Sequence, residues 1–207
     1  MGIKVVIIDY GMGNLFSIYK KLNGLGLNTI ISSSSKDINS SDKIILPGVG
    51  NFKKATENIT QLNLLDTLHE NVAIKKKHTL GICLGMQLMT KHSQEGNCNG
   101  LGWIDCKVEK INVNDTLRFK VPHTGWNSLE YISDNPLMKK IQVDSEFYFV
   151  HSYYIKSLDE NEILCKTKYE KSFISGFFKE NIFGVQFHPE KSHKYGLNLI
   201  KNYILKS

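Results

Sequence analysis

One pentapeptide restricts the possible folds of this chain more than any other stretch. Gly81-Ile82-Cys83-Leu84-Gly85 follows an apolar run and leads into a segment of helical composition. A strand that turns at once into a helix leaves little room for side chains, and flanking glycines supply that room. The middle residue is then lifted out of the backbone as an exposed nucleophile. The pattern is that of a nucleophile elbow, with sulfur where the hydrolase version carries a serine oxygen.

The surrounding elements agree with such a turn. Residues 5–8, 28–32, 43–46 and 79–82 read as short, continuous, largely β-branched strands buried on both faces. Between them, Leu15, Ile18, Leu22 and Leu25 share one face of a helix over 15–25, and residues 52–75 read as a helix broken near Asn63. Ser33-Ser34-Ser35 reads as a polar loop, and residues 85–92 as a helix. This alternation predicts an α/β fold with a mostly parallel central sheet flanked by helices. From Trp103 onward the second half becomes β-rich, with strands expected at 108–113, 116–121, 147–155, 163–167, 172–178 and 182–186, then a helix over 195–205. Nothing in the 207 residues reads as a repeat or linker, so a single domain over 1–207 is expected.

Composition narrows the function classes. No stretch approaches the roughly 20 apolar residues of a membrane span. The N-terminal apolar run contains Lys4 and ends in Asp9, which suits a strand and not a targeting signal. The four cysteines (Cys83, Cys98, Cys106 and Cys165) match no zinc spacing. A reduced cytoplasmic protein without metal or cofactor is expected. The net charge is +6, but the lysines are scattered and the densest run is only Lys75-Lys76-Lys77. That leaves no footprint for a nucleic acid, although it suits an acidic protein face.

By itself Cys83 has a plain reading as a small buried hydrophobe, the reading adopted for the other three cysteines. Its bracketing glycines argue against that. A thiol attacks as the thiolate and needs a base beside it. Phe187-His188-Pro189-Glu190 follows the apolar run 182–185 and supplies an imidazole with a carboxylate two residues on. Glu190 can accept the ring N–H and orient His188, which then serves as base and acid. His69, His78, His92, His123, His151 and His193 are less favoured, with His123 and His151 in unusual contexts. The Gly48-Val49-Gly50 turn and the N–H of Leu84 can form an oxyanion hole, although Pro-Gly-x-Gly alone is an ordinary tight turn. Gly11-Met12-Gly13-Asn14 lacks the spacing of a phosphate loop.

Taken together, these motifs resemble the class I, triad-type glutamine amidotransferases of flavodoxin-like fold. More narrowly, they look like the glutaminase subunits of imidazole glycerol phosphate synthase. The markers are Asp9-Tyr10-Gly11-Met12-Gly13-Asn14-Leu15, Leu46-Pro47-Gly48-Val49-Gly50, Gly81-Ile82-Cys83-Leu84-Gly85-Met86-Gln87, Pro122-His123-Thr124-Gly125-Trp126-Asn127, Phe149-Val150-His151-Ser152-Tyr153 and Gln186-Phe187-His188-Pro189-Glu190-Lys191-Ser192. The resemblance implies hydrolysis of L-glutamine to glutamate and ammonia through a Cys83-thioester. It implies Gly50 and Leu84 as oxyanion donors, and Gln87, Glu95, Tyr148 and Ser152 around the glutamine. It also implies Asn14, His123, Trp126, Asn127 and Lys191 facing a (β/α)8-barrel cyclase, the partner of a heterodimer. That cyclase would use the ammonia on a phosphorylated ribulosyl aminoimidazole carboxamide nucleotide in histidine biosynthesis. Relatives that aminate surface sugars share the same glutaminase chemistry. Thr124 departs from the methionine or isoleucine expected beside His123. A stand-alone thiol hydrolase and a catalytically silent regulatory module are the competing readings.

Overall fold

The computed structural model describes residues 2–205. The chain opens with β1 (Lys4–Ile8), α1 (Leu15–Asn23), β2 (Asn28–Ser32), α2 (Ser35–Ser40) and β3 (Lys43–Leu46). It continues with α3 (Phe52–Gln61), α4 (Leu65–His69), a π-helical turn Glu70–Ile74, β4 (His78–Ile82) and α5 (Leu84–Leu88). The second half contains β5 (Thr90–Ser93), β6 (Cys98–Asn99), β7 (Ile104–Lys110), β8 (His123–Ile132), β9 (Glu146–His151), β10 (Tyr153–Ile155), β11 (Ile163–Tyr169), β12 (Lys171–Lys179) and β13 (Ile182–Val185). Helix α6 (His193–Leu205) closes the described chain.

The first strands are continuous apolar runs because both of their faces are covered. Val6, Ile8, Ile44 and Leu46 pack with Phe52, Ala55, Ile59, Leu64, Leu68 and Val72 under α3 and α4. Val5, Ile7 and Ile45 pack with Ile18, Leu22, Leu199, Ile200 and Tyr203 under α1 and α6. Burial of this kind is the main favourable term in folding. Asn51 caps α3, accepting from Lys54 N–H at 3.0 Å. The expected break falls at Asn63, whose φ of 52° ends α3 before α4. Among the described residues no helix is long and apolar enough to cross a membrane.

The sheet runs β2-β1-β3-β4-β13-β12-β10-β7-β5-β6, with β11, β8 and β9 branching from β12. Its first half is parallel through β4 and on to β13, with Val185 beside Ile82. The later strands are mostly antiparallel, β5 against β7 being the parallel exception. An α/β fold with a parallel core and a β-rich second half is therefore what forms. Its decisive feature is β13, nearly the last element in sequence, inserted beside β4.

Several boundaries differ from expectation. The serine run leads directly into α2, with Ser34 at its N-cap. The helix predicted over 85–92 stops at Leu88. Thr90 Oγ1 donates to Gln87 O at 2.8 Å, and residues 90–93 join β7 as β5. Residues 116–121 form no strand; side chains hold this stretch instead. Glu170 accepts the Asn114 and Asp115 N–H groups, and Tyr169 Oη exchanges hydrogen bonds with Lys120 backbone. The stretch 147–155 is two strands, interrupted at Ser152. The longest strand, β8, reads in sequence only as a surface motif, because its polar first half hides the alternation.

Candidate active site

Cys83 ends β4 and caps α5 with φ 52° and ψ −110°, a strained conformation for a side-chain-bearing residue. The glycines beside it are steric requirements. A Cβ on Gly81 would lie 2.7 Å from Met86 N, and one on Gly85 would collide with Leu46 O. That close approach seats the Pro47–Gly50 turn directly against the elbow. The thiol is 5% exposed.

The parallel register of β13 against β4 brings the second motif to the same sheet edge. Cys83 N–H donates to Val185 O at 2.8 Å. Beyond Val185 the chain bends, and Gln186 and His188 both reach toward Cys83 while Phe187 enters the core. His188 is buried, and its Nδ1 pairs with Glu190 Oε1 at 2.8 Å. Its Nε2 has no hydrogen-bond partner, and neither has Glu190 Oε2. The loop is clamped to β9. His188 N–H donates to Tyr148 O, Tyr148 N–H to Ser192 Oγ, and Ser192 Oγ to His188 O.

Burial pulls the His188 ring down, but negative charge on the Cys83 sulfur and on the Glu190 carboxylate outweighs it and raises the pKa from 6.5 to about 10. The folded ring thus holds its proton more tightly than the unfolded one. Its contribution to stability is complete below about pH 6.5 and is lost as pH rises through about 10. Cys83→Ala removes one of the two raising partners. A pH titration of the His188 ring by NMR should therefore give a lower midpoint in Cys83→Ala than in the unaltered protein. An unchanged midpoint would mean the thiol does not act on the ring. Burial pushes the thiols of Cys106 and Cys165 up to about 12, which fits their reading as inert packing residues.

A cavity of about 220 Å³ opens beside the thiol, lined by Val49, Gly50, Cys83, Leu84, Gln87 and Glu95 on one side. Pro122, Val150, His151, Ser152 and Tyr153 complete it. That volume suits a small ligand, below the usual range for drug-sized ones. A larger cavity of about 640 Å³ lies beside His78, at the opposite end of β4, and holds none of the predicted residues. Among the described residues no group of three or more His, Cys, Asp or Glu side chains could hold a metal ion.

The predicted residues divide cleanly. Cys83 acts on His188, which pairs with Glu190, and Gly50, Leu84, Gln87, Glu95 and Ser152 line the cavity beside the thiol. Glu95 is steadied by Phe52 N–H at 2.9 Å. Gln87 commits Nε2 to Tyr153 O and Gln186 Oε1, which leaves its carbonyl oxygen for a ligand. Tyr148 is a correction. It does not line the cavity, and its ring meets Trp126 and lies under Lys191 Nζ.

His123 is a second correction. The segment 123–127 is part of a strand, so its residues cannot all face outward. His123 stands opposite His151, is 3% exposed, and stacks on Tyr169. Asn127 turns toward His123 Nε2 and Lys168 O. Trp126 is 45% exposed and stacked on His193, and Asn14 and Lys191 are exposed as well. Sequence reasoning missed Gln186, Ser192 and the cavity-lining His151. The first was discoverable, since residue 186 follows the strand that carries His188 and lies two residues before it.

A cysteine on a strand-to-helix turn, an adjoining buried His–Glu pair and this sheet order belong together in one class of enzyme. The chain belongs to the class I glutamine amidotransferase family: the description "Glutamine amidotransferase class-I" matches residues 6–206. Within the family it is similar over its length to "Imidazole glycerol phosphate synthase subunit HisH 2" of Methanococcus maripaludis, at 46% identity, covering 97% of this chain and 98% of that protein. "Imidazole glycerol phosphate synthase subunit HisH 1" of Campylobacter jejuni is 44% identical, with the same two coverages. A solved structure described as PurLQS from Thermotoga maritima shares the fold. Its TM-score is 0.71 at 17% identity, with 99% of each chain covered.

Proposed function

We propose that this chain is the glutaminase subunit of an imidazole glycerol phosphate synthase, working through Cys83, His188 and Glu190 within a single domain. The observation that carries the chemistry is the parallel insertion of β13 beside β4, which sets His188 and Glu190 against the elbow. The two full-length relatives above support the choice of synthase. The Cys83 sulfur attacks the side-chain carbonyl carbon of glutamine. The Gly50 and Leu84 N–H groups receive the oxyanion. His188 gives its proton to the departing nitrogen, and ammonia leaves. His188 then takes a proton from water as it attacks the thioester, and glutamate departs with the sulfur restored. Glu190 holds the ring throughout and carries no proton itself.

The ammonia passes to a (β/α)8-barrel cyclase, the histidine-pathway partner of such glutaminases. Exposed Trp126 and Lys191 suit that contact, since tryptophan is enriched where binding energy concentrates. The test is glutamate formation by the protein alone, with the cyclase, and with the cyclase plus its nucleotide. Turnover should rise on the order of 10–100-fold in the full mixture. Strong turnover alone would indicate a stand-alone hydrolase, and none anywhere a silent module. The relatives' names carry copy numbers, which favours keeping a second reading, supply of ammonia to surface-sugar amination. Glutaminase activity raised only by a sugar-pathway partner would select it.

A further inference from the structure

We propose that Gln186 donates a hydrogen bond to the Cys83 sulfur and stabilises it as the thiolate, with its amide held in that sense by Gln87. The proposal rests on the reading of Cys83 as nucleophile. Gln186 is fully buried, and its Nε2 lies 3.6 Å from Cys83 Sγ. A carboxamide has one donating end and one accepting end, and the neighbours decide which end meets the sulfur. Gln186 Oε1 accepts from Gln87 Nε2 at 2.9 Å. Gln87 cannot be turned around without loss, because its Nε2 also donates to Tyr153 O at 3.0 Å, and a carbonyl only accepts. The NH2 end of Gln186 therefore faces the sulfur.

The Tyr153 carbonyl is also held from the other side. His151 Nδ1 donates to it at 2.8 Å. His151 Nε2 must then accept from His123 Nδ1, 3.0 Å away, and His123 Nε2 from Asn127 Nδ2 at 3.2 Å. Asn127 is fixed in turn, giving Nδ2 to Lys168 O and receiving Ser128 N–H on Oδ1. This line explains why two histidines are buried here. Both are neutral, and they anchor the acceptor on which the Gln87–Gln186 pair depends.

The ionisable groups around Cys83 are His188 with Glu190, Tyr10, and the cavity-lining His151 and Glu95. Gln186 differs from His188 and Glu190 in that its amide neither gains nor loses a proton. It supports negative charge on sulfur without competing for the His188 proton.

The test compares the unaltered full-length protein with Gln186→Leu and Gln186→Glu. Iodoacetamide labelling of the Cys83 peptide is followed by mass spectrometry across pH. Gln186→Leu should slow labelling at pH 7 by about tenfold, the low end for a hydrogen bond to a charged group. The deficit should shrink at alkaline pH, where the thiol loses its proton unaided. Gln186→Glu keeps the acceptor for Gln87 but turns an oxygen toward sulfur, so it should slow labelling at least as much. A Gln186→Leu protein labelled at the unaltered rate, or slowed equally at every pH, overturns the role of Gln186 alone. Failure of the unaltered protein to label at Cys83 removes the nucleophile reading and this proposal with it.

Discussion

If the proposed mechanism holds, Cys83→Ala is expected to abolish glutamate formation, by about 10⁴-fold or more, while the protein still co-elutes with the proposed cyclase partner. The loss is this large because none of the other three cysteines, Cys98, Cys106 and Cys165, lines the cavity beside Cys83. Cys106 and Cys165 are buried as well, with thiols pushed up to about 12. The fold should survive. Alanine meets the same backbone strain at φ 52° that cysteine already bears, and only a nearly buried sulfur is removed. Stopped assays for glutamate, alone and with cyclase plus nucleotide, measure the first half. Co-elution on a sizing column measures the second. Persistent turnover in this variant would remove the covalent mechanism.

Gly85→Ala is expected to cost about 3 kcal/mol of stability or more, although it adds a single methyl group. The new Cβ would collide with Leu46 O and lie 2.9 Å from Pro47 O. Neither carbonyl can move freely, since Leu46 is paired with Gly81 of β4 and Pro47 O accepts from Tyr10 Oη. The clash must be relieved by lifting the elbow away from the Pro47–Gly50 turn, so activity should fall with stability. Urea unfolding followed by circular dichroism gives the first quantity, and glutamate formation the second. A variant as stable as the unaltered protein would mean that the elbow and this turn are packed less tightly than described.

The first half of the fold is legible in the sequence because burial on both faces leaves runs such as Val5-Val6-Ile7-Ile8 that admit little else. The elbow is legible for a related reason: two steric requirements bracket one reactive atom. The second half is harder. Strand β8 begins His123-Thr124-Gly125-Trp126-Asn127, where an inward histidine breaks the apolar alternation that marks a half-buried strand. The same feature underlies the error over His123. Its burial depends on His151 across the strand pair and Tyr169 stacked against it, contacts that pairing alone creates. Tyr148 is placed at the glutamine by resemblance alone, but strand register decides which side chains reach the pocket. The helix expected over 85–92 is cut short by a partner, β7, lying more than ten residues downstream.

Strand β13 has a consequence for biosynthesis. Ribosomes deliver the sulfur at position 83 long before the imidazole at 188, and the slot beside β4 stays vacant until residues 182–185 emerge. On the proposed mechanism, a polypeptide that ends before residue 188 carries an unassisted thiol, and competence to hydrolyse glutamine arrives only once translation has passed residue 190.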